Sequence, residues 1–329
     1  MEIRRLGAHG PAVSELGLGC MAMSGMYGPA DEAESRATIH AAIDAGVTLL
    51  DTGDFYGMGH NEMLIRDALR SRDRDQVLIS VKFGALRGPD ARWGGYDARP
   101  EAAWNFLAYS LQRLGTDYID IYRPARVDPA VPIEETVGAI AEMVKAGYVR
   151  HIGLSEVGAG TLRRACAVHP ICDLQIEYSL ISRGIEDDIL PACRELGVGV
   201  TAYGVLSRGL LSGHWDPARE NAGFRSRAPR FQDENLRRNL ALAEALRSVA
   251  AQRGATVAQA AIAWVAAQGE DIVPLVGARR REQLTESLAA ADLRLSADDL
   301  AAIEWAVPAG SAAGSRYPEA QMAGLDSER

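Results

Sequence analysis

The chain has 329 residues, a net charge of -9, 47% hydrophobic and 24% charged residues, ordinary proportions for a globular protein with a sizeable core. The acidic balance and the lack of a long basic run argue against nucleic acid and anionic membrane as partners, and no apolar run is long enough to cross a bilayer. Cys20, Cys166, Cys172, Cys193 and the six histidines show no metal-ligand spacing, and Met1–Arg5 lacks the apolar stretch of a leader, so the expectation is a metal-free cytoplasmic protein with free thiols.

Residues 2–14 predict a short hairpin turning near Ala8-His9-Gly10-Pro11, placed to plug the N-terminal mouth of a barrel. Short β-branched runs then alternate with longer amphipathic ones. Strands are predicted at 15–19, 47–52, 77–82, 118–122, 149–154, 173–177, 198–203 and 271–276. Helices are predicted between them, at 32–45, 62–71, 100–113, 133–145, 158–168 and 185–196. Gly46, Gly147 and Gly197 stand where helix ends are expected. Between the seventh and eighth strands a loop over 205–233, rich in Gly, Ser, Arg and Pro, leads into helices at 234–252 and 257–268. A loop of that length inside a compact domain is usually functional. The tail after Val307 is rich in Ala, Gly and Ser, then reads Ser315-Arg316-Tyr317-Pro318; the sequence leaves open whether it covers the barrel or is partly disordered. Eight strand–helix repeats predict an α/β fold: one (β/α)8 barrel domain over residues 1–329, with an N-terminal hairpin and a helical insertion between strands seven and eight. No GxGxxG turn follows a strand, which disfavours a Rossmann fold.

Asp51, Lys82, Ala125, Ser155, Gln175, Tyr203 and Gly277 all fall at or just past the ends of successive predicted strands. A barrel gathers those ends on one face, where barrel active sites sit. Ionisable residues at the ends of buried strands are costly unless paired. Asp51 and Lys82 are a natural pair, and Tyr56 beside them is a candidate proton donor.

Asp51-Thr52-Gly53-Asp54-Phe55-Tyr56-Gly57, Val81-Lys82-Phe83-Gly84, Gly153-Leu154-Ser155, Gln175-Ile176-Glu177-Tyr178-Ser179, the run 202–209 and Val273-Pro274-Leu275-Val276-Gly277-Ala278-Arg279 follow one another in an order and spacing that resembles the aldo-keto reductase family over nearly the whole chain. The resemblance implies reduction of an aldehyde or ketone by hydride transfer from NADPH. Tyr56 would be the general acid. Lys82 would lower its pKa, and Asp51 would keep Lys82 charged. Ser155 and Gln175 match positions that hold the nicotinamide carboxamide, and Tyr203 matches the ring that stacks on it. Leu206 to Leu210 would supply backbone contacts to the pyrophosphate, with Arg208 nearby and Gly277 and Ala278 lining the same site. Arg279, Arg280 and Arg281 open a helix just after the eighth strand, a place suited to an adenosine 2′-phosphate, so NADP(H) is expected over NAD. Gln283 matches a phosphate contact and Glu286 an adenine contact.

Three positions depart from the family pattern. Ala125 stands where a histidine is usual, Glu156 where an asparagine is usual, and Ser287 likewise. A water or a neighbour such as Arg123 would have to do the histidine's work, or the pocket would take a bulkier or pre-polarised carbonyl. Retained but selective activity is the expectation. The alternatives are a nicotinamide-binding regulatory or partner subunit with little turnover and, more remotely, an aldolase using Lys82 as a Schiff base. Trp93 and Tyr317 are candidate pocket walls. The identity of the substrate and the oligomeric state cannot be read from these residues.

Overall fold

A computed structural model describes residues 1–90, 92–216 and 225–329. The chain opens with an antiparallel hairpin, β1 (Ile3–Arg5) and β2 (Ala12–Ser14). Then come β3 (Gly17–Gly19), α1 (Glu32–Asp44), β4 (Leu49–Gly53), α2 (His60–Leu69) and β5 (Leu78–Phe83). A second antiparallel pair, β6 (Ala85–Arg87) and β7 (Trp93–Tyr96), comes next. The middle of the chain supplies α3 (Pro100–Leu114), β8 (Ile119–Pro124), α4 (Ile133–Lys145), β9 (Val149–Ser155), α5 (Ala159–Val168), β10 (Ile171–Glu177), α6 (Ile189–Leu196) and β11 (Gly199–Tyr203). The insertion holds α7 (Asp233–Gln252) and α8 (Val257–Ala267), and β12 (Ile272–Gly277), α9 (Arg281–Leu288) and α10 (Ala297–Ala306) complete the helical layer.

Strands β3, β4, β5, β8, β9, β10, β11 and β12 pair side by side in that order and close into a barrel. The seam joins β12 to β3, with Gly277 opposite Gly19. Every residue of β4, β8 and β10 is buried, as expected for parallel strands covered on both faces. Side chains alternate along each strand. Leu50, Ile79, Tyr122, Ile176 and Val200 point outward into one core with Ile39, Ile65, Leu107, Ile140 and Leu162 of the helices. Leu49, Ile121, Val273 and Leu275 point inward and pack with Leu6 and Val13 of the hairpin. The hairpin therefore plugs the N-terminal mouth, as its sequence position suggested. Gly197 makes the close fit possible: its φ is +68° and a Cβ there would meet the Ala8 Cβ at 3.0 Å, while its carbonyl accepts from the Ala8 N–H at 2.7 Å.

One step further along the strands the interior turns polar. Arg123 pairs with Asp173 at 3.0 Å and donates to Ser80 Oγ at 2.9 Å, and Thr201 also donates to Asp173. This buried layer forms the floor of the site. Side-chain caps start α1, through Asp31, and α8, through a Thr256–Gln259 capping box. Among the described residues, no helix is long and apolar enough to cross a membrane.

The loop expected over 205–233 is present on both sides of residues 217–224, which lie outside the described residues. Short 3-10 turns at Ser207–Gly209, Arg225–Arg227 and Pro229–Phe231 punctuate it.

Candidate active site

The period of two that sends Leu49 inward also sends Asp51 inward, and the same rule applies to Lys82, Arg123, Ala125, Ser155, Gln175 and Tyr203. At the C-terminal end of the barrel, Lys82 Nζ donates to Asp51 Oδ2 at 2.6 Å. Ser80 Oγ and Gln175 Nε2 donate to the other carboxylate oxygen at 3.1 and 2.7 Å. Asp51 thus has both oxygens occupied, and its orientation is fixed by donors from two strands, β5 and β10. Lys82 Nζ lies 5.2 Å from the centroid of the buried Tyr56 ring.

Tyr56 comes from the loop after β4, where Phe55 packs edge-on against it at 4.8 Å and against Trp93 at 5.7 Å. Burial pushes the Tyr56 phenol well above its ordinary pKa; Asp51 adds to the shift and Arg126 opposes it. The lowering expected from Lys82 is not what dominates. Burial likewise pushes the Lys82 ammonium below its ordinary value, with Asp51 opposing that shift. The ammonium charge is largely neutralised by its carboxylate partner, so the phenol feels its desolvation first.

Ala125 is buried at the inward position, beside Phe83, whose carbonyl accepts from the Ala125 N–H at 2.8 Å. Arg123 does not reach the rim beside Ala125. It lies one layer deeper, held by Asp173 and Ser80. The cation next to Ala125 at the rim is Arg126, which donates from Nη1 to the Ala125 carbonyl at 2.6 Å and to Ser155 Oγ at 3.4 Å. A charged residue just past a strand end gave no sequence signal separating it from a solvated loop arginine.

Glu156 has a left-handed backbone, φ +55°, a conformation that asparagine tolerates and glutamate adopts at a cost. Its carboxylate is nonetheless fully used. Oε1 accepts from the Glu177 N–H at 2.9 Å, Tyr203 Oη at 2.8 Å and Arg316 Nη1 at 2.9 Å. Oε2 accepts from Arg316 Nη2 at 2.6 Å and Ser327 Oγ at 2.7 Å. Burial opposes the charge, but the Arg316 guanidinium outweighs it and holds the carboxyl down at about 2. Tyr203 Oη also meets Tyr317 Oη at 2.9 Å. Glu177, the neighbouring rim carboxylate, pairs with Arg208 at 2.9 Å and Arg230 at 3.4 Å. The C-terminal tail is therefore ordered, and it covers the rim beside Tyr203.

A third cluster gathers around the start of α9. Arg279 donates to the carbonyls of Tyr27 and Pro29 at 3.5 and 3.0 Å, and its backbone N–H to Gln283 at 3.3 Å. Arg281 pairs with Glu34 at 2.9 Å. Glu286 accepts from His214 of the insertion at 2.9 Å, and Ser287 is buried. Gly277 ends β12 and Ala278 is buried behind it. On the insertion, the Leu206 carbonyl accepts from Gly209 and Leu211 at 2.9 and 3.1 Å. Ser207 and Arg208 both have positive φ, and the buried Ser207 Oγ has no partner among the described residues. The residues expected from the sequence thus form two groups, Asp51, Tyr56, Lys82, Ser155, Gln175 and Tyr203 at the rim and the α9 residues beside it. The 205–216 stretch of the insertion runs between them.

Residues 15–307 match the family model described as the aldo/keto reductase family. The chain belongs to the aldo/keto reductase family. A curated soybean (Glycine max) relative, a probable aldo-keto reductase 1, is 43% identical over 318 residues, covering 95% of this chain and 91% of the relative. Among solved structures, the glycerol dehydrogenase of Gluconobacter oxydans superposes with a TM-score of 0.84 at 28% identity, covering 92% of this chain and 94% of that one. An aldo-keto reductase from Bacillus halodurans, in its holo form, gives 0.79 at 27% identity, covering 94% and 97%. Membership makes this aldo/keto reductase an oxidoreductase acting on small-molecule carbonyl compounds, in a family that generally uses nicotinamide cofactors.

Proposed function

We propose that the chain is an NADPH-dependent carbonyl reductase with Tyr56 as its general acid. The observation that carries this reading is the buried Lys82–Asp51 pair at 2.6 Å, set against the Tyr56 ring at the open end of the barrel. When bound, the nicotinamide cofactor supplies the hydride. The residues of the chain supply the rest. Tyr56, with its pKa raised, holds its proton at neutral pH and so stands ready as a donor to a developing alkoxide. Lys82 stabilises the phenolate left behind, and Asp51, gripped by Ser80 and Gln175, keeps Lys82 charged and in place.

The cofactor fits the residues present. Arg279 and the N-terminus of α9 offer donors for an adenosine phosphate, with Gln283 alongside. Leu206 and Arg208 lie on the loop expected to take the pyrophosphate, where the unpartnered Ser207 Oγ favours an incoming acceptor. Ser155 and Tyr203 border the nicotinamide end, and Glu286 and Ser287 the adenine end. Ala125 favours a second reading, a cofactor-binding partner subunit with little turnover.

Oxidation of NADPH in the presence of a panel of aldehydes and ketones separates the two. Turnover is expected, with NADPH bound more tightly than NADH. Tyr56→Phe should lose about 10²–10⁴-fold in kcat while NADPH affinity stays nearly constant. Cofactor binding without turnover on any carbonyl would favour the partner subunit, and equal affinity for NADPH and NADH would remove the phosphate assignment.

A further inference from the structure

Arg126 is a cation with too few acceptors. A guanidinium carries five N–H donors and no acceptor. Two contacts are made, both from Nη1 and both to neutral oxygens, the Ala125 carbonyl at 2.6 Å and Ser155 Oγ at 3.4 Å. Its Nε is buried and has no hydrogen-bond partner among the described residues. Among the described residues no carboxylate lies within ion-pairing distance of it. Burial disfavours its charge, but the neighbouring Tyr203, Tyr317, Glu156 and Tyr96 outweigh that and hold the guanidinium above its ordinary pKa. Three of these groups are phenols. Glu156 is the one anion among them, and its oxygens are already taken by Arg316, Tyr203, Ser327 and the Glu177 amide. Arg126 as a whole is only half-buried, but a buried donor left without an acceptor is costly, and it persists where a ligand supplies the missing partner.

The location specifies which ligand. Arg126 comes directly after Ala125, whose side chain is a single methyl group. It touches Ser155 on one side and acts electrostatically on Tyr56 on the other. We propose that Arg126 is the substrate anchor of this enzyme, and that the substrate class is the 2-oxo acids, with the carboxylate on Arg126 and the adjacent carbonyl facing Tyr56. The inference rests on the reductase reading above. The reaction balances simply: hydride adds to the carbonyl carbon, the Tyr56 proton to its oxygen, NADPH becomes NADP+, and the carboxylate is unchanged. The carboxylate beside the carbonyl also withdraws electrons, which lessens the need for the absent imidazole.

The test compares pyruvate with the uncharged pyruvamide in the unmodified protein, Arg126→Gln and Arg126→Lys. Two readouts are taken, kcat/KM with NADPH and calorimetric binding of pyruvate to the complex with NADP+. The unmodified protein should prefer the acid. Arg126→Gln should lose about 10- to 100-fold in kcat/KM on pyruvate, mainly through KM, and several-fold less on pyruvamide. Arg126→Lys should recover part of the difference. Pyruvate binding should weaken in parallel. Turnover without preference for the acid, or an equal loss on both compounds, overturns the anchor and leaves the reductase reading intact. Arg126-dependent binding of pyruvate without turnover of any carbonyl upholds the anchor and overturns the reductase reading.

Discussion

On the proposed reductase reading, the methyl group at position 125, just past β8, offers a substrate carbonyl no side-chain donor, and Arg123, the nearest candidate along the strand, is held a layer below by Asp173 and Ser80. Simple unactivated ketones should therefore turn over slowly, and activated ones, such as α-dicarbonyls or quinones, faster. Ala125→His should raise kcat/KM on simple ketones by about 10-fold or more, since a preorganised donor to a developing oxyanion is worth up to about 10²–10³. The gain on activated carbonyls should be small. A uniform change across both types would mean that another group already does this work. Asp51, Lys82 and Tyr56 were legible in the sequence because ionisable groups at strand ends have few structural uses. Arg126 was not, because what it meets, the Ala125 carbonyl and Ser155, with Glu156 already occupied by Arg316, is set by contacts between distant segments. Gln175 was legible as a rim residue, yet its amide holds Asp51 at 2.7 Å, a contact between strands that no local pattern announces.

The tail is the element whose role depends most on long-range contacts. Arg316 clamps Glu156 bidentately and also meets Glu328 at 2.7 Å, so a carboxylate in a strained backbone position is held by a segment far along the chain. Arg316→Ala should cost about 3–5 kcal/mol, the usual penalty for leaving one member of a buried pair behind. Adding Glu156→Asn should recover much of that loss, because asparagine carries no charge and suits the left-handed backbone better. Chemical denaturation of the two single variants and the double variant measures the coupling, and additive losses would mean that the clamp contributes little. The tail reads as Ala/Gly/Ser-rich chain in the sequence, with Arg316 and Tyr317 as the only hint of order. The β6–β7 hairpin was missed for a related reason: Gly94 and Gly95 interrupt β7, and all four of its residues are exposed, so no alternation marks it. The eight barrel strands were recovered to within a few residues because burial on both faces demands β-branched, apolar runs of a length that helices do not share.

For the molecule as a whole, pH should act on stability through Asp54. It is buried at the end of β4 and accepts from the Gly84 N–H at 3.4 Å. Burial, reinforced by Glu62, pushes its carboxyl up to about 7. A carboxylate raised in the folded state binds more protons there than in the unfolded chain between roughly pH 4 and 7. Stability should therefore fall as pH rises through that window, by up to about 1.4 kcal/mol per unit, and level off above it. Glu156 acts in the opposite sense at lower pH: its stabilisation is present above its unfolded value and is lost as pH falls toward about 2. Asp54→Asn should flatten the slope between pH 4 and 7 in urea melts, and an unchanged slope would assign it to another group. The closing seam carries a consequence for how the protein is made. Gly19 emerges from the ribosome early, but its partner Gly277 is synthesised only after every other barrel strand. Until then a nascent sheet has two unpaired edges, which favours pairing with other chains. Closure is a late event that no local sequence can hasten, and chaperone demand during synthesis should be set by that one pair of strands.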